Sequence, residues 1–310
     1  MRFLALLLIC LSSVSVARAD WYRFQEPVMG TLIQLELWAD DERQAGRLMA
    51  KVMDEMQRID YLMSHYKPDS ELSLLNKSAA KDWVVVSKEL FGLIDQSLQL
   101  SVLTGGAFDI TYASVGYQYN FRLGKRPSKQ QITTALPAVN YKNILLDRKH
   151  SRLRYAKPGV LIDLGGIAKG YAVDRGIKIL AKAGITNAMI GLGGDSRILG
   201  DRRGRPWHLG VRHPRQRNAV VTRLPLSNRA ISTSGDYEQY FERDGIRYHH
   251  IIDPRTGDSA RASRSVTIVG PNATRTDALS TGLFVMGSKQ AIKLIESLTG
   301  YEAVIVDDNG

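Results

Sequence analysis

Apolar residues at Leu48, Val52, Met56, Ile59 and Met63 recur every three or four positions, which predicts an amphipathic helix. Its methionines read as core filling. Pro68 forbids continuation, so this helix ends near residues 64–70, and 70–76 reads as a short helical turn or loop. Leu90, Ile94, Leu98 and Val102 repeat the helical period, with Ser87 as N-cap and Thr104-Gly105-Gly106 as the stop. Residues 31–38 alternate apolar and polar and read as a strand, and 143–146 and 152–155 as a hairpin. Residues 188–190, 207–212, 220–224, 229–233, 248–252, 265–269 and 303–306 read as further strands. Between 115 and 137 the chain is polar and basic, a long loop or an inserted helix pair. Thr276 is expected to cap a helix lined by Leu283 and Met286, with Asp277 in its first turn; 291–298 is a final helix. Asn309-Gly310 is a hairpin signal, so the pattern expects a returning strand beyond it.

One stretch organises the rest: Asp163-Leu-Gly-Gly-Ile-Ala-Lys-Gly-Tyr-Ala-Val-Asp174. The apolar run 159–162 before it predicts a buried strand. Ile167, Tyr171, Ile177 and Leu180 after it predict a helix. A strand ending in Asp and turning through Gly165-Gly166 into a helix reads as a phosphate cradle. The glycines admit a close ligand, the helix N-terminus offers N–H groups, and Lys169 adds positive charge. A plain tight turn with a solvated lysine fits the same residues. Neither the Walker A nor the Rossmann glycine spacing is present.

Length allows one large or two modest domains. The net charge of +11 comes with basic clusters at 125–129, 148–154 and 202–217, and no helix-turn-helix or zinc-finger motif accompanies it. These charges read as a generally basic surface. At the N-terminus Arg2, the apolar run 3–11 and Ala17-Arg18-Ala19 form a signal peptide, residues 1–19, with the mature domain at 20–310. Cys10, the only cysteine, lies inside that signal behind bulky Ile9, so it is expected to carry no lipid. The expectation is export to the periplasm of a Gram-negative cell, with inner-membrane association left open, and a mature chain without disulfides.

Asp109, Asp163, Asp195 and Asp253 each adjoin a Gly-rich strand end. Asp277 stands one helical turn from Thr281 on the same face. Such oxygen donors suit Mg2+ rather than Zn2+. Each aspartate taken singly is more often a turn or cap residue.

The ordered motifs Met29-Gly30-Thr31, Pro68-Asp69-Ser70-Glu71-Leu72, Thr104-Gly105-Gly106-Ala107-Phe108-Asp109, Asp163 to Gly170, Gly193-Gly194-Asp195, His250-Ile-Ile-Asp-Pro-Arg-Thr-Gly257 and Thr276-Asp-Ala-Leu-Ser-Thr281 resemble those of the ApbE family of FAD:protein FMN transferases. The resemblance covers nearly the whole mature chain. It implies a mixed α+β fold with FAD in a cleft between two subdomains. Met29 and Tyr66 would then contact the flavin or ribityl part. Ala107, Phe108 and Asp109 would take the nucleotide end, and Asp163, Lys169 and Ile251 would line the same pocket. The Gly166 carbonyl, Asp277 and Thr281 would hold Mg2+, and His250 would be the base; read from the residues alone, it is a core histidine. The implied reaction moves FMN from FAD to a Thr or Ser hydroxyl of a client protein and releases AMP. The implied clients are the Na+-translocating NADH:quinone reductase and the Rnf complex. An FAD pyrophosphatase and a non-catalytic flavin-binding protein are the alternatives.

Overall fold

The computed structural model describes residues 19–310, so Cys10 and nearly all of the expected signal peptide lie outside the described residues. Strands β1 (Asp20–Val28) and β2 (Thr31–Ala39) form an antiparallel hairpin. β1 was not visible in the sequence pattern: it carries Pro27 and lies at a sheet edge, where a missing N–H is tolerated. Helix α1 (Glu42–Met63) buries Leu48, Val52, Met56, Ile59 and Met63, as the period predicts, and Asp41 caps it. Residues 71–78 form α2 (Glu71–Ser78), more regular than expected because Ser70 accepts from the Ser73 amide.

A second layer follows. β3 (Val84–Val85) pairs with β5 (Arg152–Tyr155), which pairs with β4 (Ile144–Asp147), and α3 (Lys88–Leu103) starts at the Ser87 cap. The polar segment between them resolves into the short helices α4 (Ala113–Gly116) and α5 (Lys129–Ala135) with connecting turns.

Helix α6 (Ala168–Lys182) then returns the chain to the first layer, followed by β6 (Ala188–Leu192) and β7 (Asp195–Leu199). β8 (Trp207–Arg212) and β9 (Val220–Leu226) pair as a hairpin, and β10 (Ala230–Gly235) re-enters the main sheet. Short ladders β11 (Tyr240–Arg243) with β12 (Ile246–His249), and β13 (Ile252–Asp253) with β14 (Asp258–Ser259), precede β15 (Ser263–Gly270). Helices α7 (Ala273–Met286) and α8 (Ser288–Glu296) and strand β16 (Glu302–Asp307) complete the fold.

The main sheet has seven strands in the order β1-β2-β6-β7-β10-β15-β16. Each neighbouring pair is antiparallel, so the fold is α+β as expected. Helices α1, α6 and α7 pack together and against this sheet. One contiguous apolar cluster runs from the sheet through these helices into α2, α3 and the three-stranded ladder. A smaller cluster around Ile198, Trp207 and Ile231 joins the β8–β9 hairpin to β7 and β10. No described helix is long and apolar enough to cross a membrane.

One expected strand does not form and another is interrupted. Residues 160–162 join no ladder, although Val160 and Ile162 are buried and Leu161 is half-buried. Side chains satisfy the backbone instead: Leu161 N–H donates to Ser114 Oγ at 2.9 Å, and Asn76 brackets Ile162 through its N–H and its carbonyl, both at 2.9 Å. An apolar run of this length fits either arrangement, and only its neighbours decide. The expected strand 248–252 breaks at His250, which leaves the ladder between β12 and β13.

Candidate active site

Registers gather several loops at one end of the main sheet. Val28 pairs with Thr31, placing the Met29-Gly30 turn there, and Leu192 pairs with Asp195 around Gly193-Gly194. Ile33 pairs with Leu192, so the turns adjoin, and Ser232 of β10 pairs with Asp195. Met29 adopts φ 51° and Gly30 φ 71°, a turn in which both central residues are left-handed. Asn-Gly is the usual occupant, so a methionine there holds strain.

Helices α6 and α7 cross beside this end. A Cβ on Gly170 would lie 2.2 Å from the Ala273 carbonyl oxygen, so only glycine permits the crossing. Asp174 secures it: its carboxylate accepts from the amides of Ala273 and Thr274 at 2.9 and 2.8 Å. Together with the Asn272 side chain on the Arg275 amide, this fixes the start of α7. The expected Thr276 cap is therefore displaced. Thr276 is inside the helix, hydrogen-bonded to Ser232, and Asp277 lies in the second turn, further from the positive dipole end than its sequence context indicates.

Lys169, Asp195 and Asp277 meet at the crossing. Lys169 Nζ lies 2.9 Å from Asp195 Oδ2 and 3.6 Å from Asp277 Oδ2, and Asp277 also accepts from the Gly170 amide at 3.0 Å. Both carboxylates are nearly inaccessible to solvent. Burial and then the Asp195 charge push the Asp277 carboxyl well above the usual range, against the pull of Lys169. Burial pulls the Lys169 ammonium down, and the two carboxylates more than restore it, so it stays charged. Its charge is thus engaged by protein carboxylates rather than free. Thr281, one turn beyond Asp277, contacts Ser234 Oγ at 3.1 Å, and a Cβ on Gly166 would sit 3.5 Å from Thr281 Oγ1. Asp277, Thr281 and Gly166 therefore lie close together.

No group of three His, Cys, Asp or Glu side chains forms a metal cluster among the described residues. The donor chemistry nevertheless fits a hard cation: a carboxylate, a hydroxyl and a carbonyl, beside a buried carboxylate pair facing one ammonium. Burial first, and the Asp195 charge second, raise the Asp277 pKa, and a cation beside the carboxylate would offset both.

His250 is half-buried, and its Nδ1 has no hydrogen-bond partner among the described residues. Burial, His249 and the Lys169 charge push it down to about 4, so the imidazole is neutral at physiological pH. His249 is structural: its Nε2 contacts the Ala260 carbonyl at 2.7 Å, and Nδ1 accepts from the Ile251 amide at 3.3 Å. Ile251 is buried.

Asp163 heads a second constellation. Its oxygens accept from the Gly165 amide at 2.6 Å and from the Tyr112 and Tyr117 hydroxyls at 3.1 and 2.8 Å, and His65 Nδ1 lies at 2.6 Å. Burial raises the carboxyl, but His65, Gly165 and Tyr117 outweigh it and hold it below the usual range. The His65 ring lies between Tyr66, at 3.7 Å, and Tyr117, at 4.4 Å. Tyr66 is 84% exposed and presents a free ring surface. Phe108 is buried, with Gly166 and Gly282 against its ring and Cβ, and Ala107 is buried beside it. Asp109 caps the turn 110–112 through Thr111 and binds the Tyr141 amide at 2.7 Å, so internal donors already occupy both oxygens. Asp253 is engaged by Arg255 in its own turn and does not join either constellation.

Sequence reasoning assigned no role to His65, Tyr112, Tyr117, Asp174 or Ser234. His65 adjoins Tyr66 and Asp174 closes the organising stretch, but partners so distant along the chain leave no periodic signal.

The profile of the ApbE family matches residues 29–305. The chain is 31% identical to the FAD:protein FMN transferase of Treponema pallidum, over 94% of this chain and 85% of that protein. Its fold matches the crystal structure of the ApbE protein from Thermotoga maritima with a TM-score of 0.86 at 38% identity, covering 94% of this chain and 96% of that one. The flavin transferase ApbE from Vibrio cholerae matches with a TM-score of 0.82 at 27% identity, covering 94% and 98%.

Proposed function

The chain belongs to the ApbE family, and from that premise we propose that it is an FAD:protein FMN transferase. It moves the FMN half of FAD to a Thr or Ser hydroxyl of a client protein and releases AMP. The observation that carries this reading is the buried Asp195–Asp277 pair facing half-buried Lys169 beside Thr281, together with a neutral His250 whose Nδ1 is unpartnered among the described residues. In this reading the exposed ring surface of Tyr66 takes the flat flavin, with Met29 at the neighbouring turn. Asp163 and Lys169 line the pocket with Ile251. Ala107, Phe108 and Asp109 shape the nucleotide end, with Asp109 acting chiefly by fixing the turn at Thr111 and Tyr141.

The client hydroxyl oxygen attacks the FMN phosphorus, the P–O bond to AMP breaks, and the hydroxyl proton passes to His250 Nδ1. A neutral imidazole can accept that proton, and an approaching phosphate would raise its basicity. Asp277, Thr281 and the Gly166 carbonyl would hold Mg2+, which when bound neutralises charge on the pyrophosphate. The clients in this reading are outward-facing subunits of the Na+-translocating NADH:quinone reductase or the Rnf complex, met in the periplasm after residues 1–19 are removed.

Mass spectrometry of such a subunit, incubated with mature protein, FAD and Mg2+, tests the reading. A covalent FMN increment, lost with Asp277→Asn, supports it. Free FMN and AMP with an unmodified client would make the protein a pyrophosphatase instead.

A further inference from the structure

A cleft of about 200 Å3 opens beside the segment that carries His249, and Arg215, Arg247, Arg261 and Arg264 line it. Its carboxylates are Asp236 and Asp308, so positive charge prevails. The four guanidiniums are not equivalent. Arg215 grips both oxygens of Asp236 at 2.7 and 2.6 Å. Arg247 is shared between Asp236 at 3.5 Å and Glu242 at 2.8 Å. Arg264 donates to the Asp308 backbone carbonyl at 2.7 Å. Arg261 has no carboxylate contact among the described residues and lies over the Tyr248 ring, 5.6 Å from its centre. His249 adds no charge, because burial holds its ring below the usual histidine value.

A second observation is independent of charge. Ser263 lines the same cleft and is 3% exposed, and its buried Oγ has no hydrogen-bond partner among the described residues. A buried hydroxyl without a partner is costly and uncommon, and it calls for a group that is absent. The Arg261 and Arg264 guanidiniums, which have no carboxylate partner among the described residues, line the same cleft and suit the same kind of group.

We propose that this cleft is an oxyanion-binding site, taking a carboxylate or phosphate group between Arg261, Arg264 and the Ser263 hydroxyl. Forked guanidinium donors match the oxygens of either group. The site is separate from the Lys169–Asp195–Asp277 cluster, with which it shares no lining residue. It stands at the same end of the sheet, however: Asp236 follows Ser234 by two positions, and its amide donates to the Arg264 carbonyl at 3.1 Å. The group has two possible sources, free inorganic phosphate or an acidic side chain of a protein brought to the transfer site.

Calorimetric titration of FAD-saturated protein at low ionic strength, with inorganic phosphate and separately with the peptide Gly-Asp-Gly against Gly-Asn-Gly, distinguishes them. Binding is expected in the unmodified protein, on the order of tenfold weaker in Ser263→Ala, and lost in the Arg261→Ala, Arg264→Ala double variant. Without ligand, Ser263→Ala should melt no lower than the unmodified protein, since the hydroxyl it loses has no partner. Phosphate binding alone identifies the free ion, and preference for the aspartyl peptide identifies a protein carboxylate. No binding of either probe, or binding undiminished in both variants, overturns the proposal.

Discussion

Met29 holds a left-handed backbone that its side chain does not favour, at φ 51° in a tight hairpin turn. Asn suits that turn better. Met29→Asn is therefore expected to keep the hairpin and the melting temperature within a few degrees while weakening FAD binding, measured by flavin fluorescence titration. Unchanged affinity would make Met29 a residue of the turn alone. His250 permits a test by pH. Its folded pKa is about 4, against an ordinary 6.5, so folding favours the neutral ring. The stability this contributes is complete above 6.5 and disappears as pH falls through 4. His250→Asn removes that contribution. Between pH 6.5 and 4 the variant should lose less unfolding free energy than the unmodified protein in urea melts. Parallel curves would mean that folding leaves the His250 ring near its ordinary pKa. Met29 and His250 were both legible in the sequence through their motifs. The strain at one and the missing partner at the other were not, because each depends on backbone angles and neighbours.

At the scale of elements, the α6–α7 crossing carries the site. Gly170 sits so close to α7 that a methyl group would meet the Ala273 carbonyl oxygen and the Asp277 Cβ, at 2.2 and 2.8 Å. Gly170→Ala is expected to cost at least about 1–3 kcal/mol, as overpacking does, and to move Asp277 away from Lys169 with loss of transfer. Gly46 in α1 is the contrast, since nothing lies within 4 Å of its added Cβ. Gly46→Ala should stabilise by about 0.5–1 kcal/mol through helix propensity, with activity unchanged. Chemical denaturation of both variants checks the pair, and equal effects would contradict the crossing. The helical period showed that both helices exist. Their contact was hidden, because a glycine inside a helix looks alike whether it faces solvent or another backbone.

For the whole molecule, the decisive quantity is charge gathered in one place. Lys169 already lies between Asp195 and Asp277, so a divalent cation must share these carboxylates with an ammonium. Mg2+ is expected to bind weakly alone and much more tightly once the pyrophosphate of FAD adds negative charge. Titration of Mg2+ with and without FAD measures the coupling, and by linkage FAD should bind tighter with Mg2+ by the same factor. EDTA should stop transfer and added Mg2+ restore it; near-normal turnover after EDTA would remove the metal from the mechanism. Helix dipole repulsion contributes less here than the position of Asp277 in the sequence indicates, because α7 begins at Ala273.

Through the resemblance of its motifs the sequence pointed to the α+β class, and by itself it determined most of the helices and strands and the motifs carrying Asp163, Lys169, His250 and Asp277. These are local properties: side-chain period, caps and turn residues act within a few positions of one another. Only the tertiary structure decided which of those residues meet. Asp163 found His65, Tyr112 and Tyr117, while Lys169 found Asp195 and Asp277. It also decided that residues 160–162 run without a strand partner, with Asn76 and Ser114 holding backbone groups of Leu161 and Ile162 instead. Contacts of that kind depend on chain paths that close over long separations, and no local pattern of residues encodes the partner.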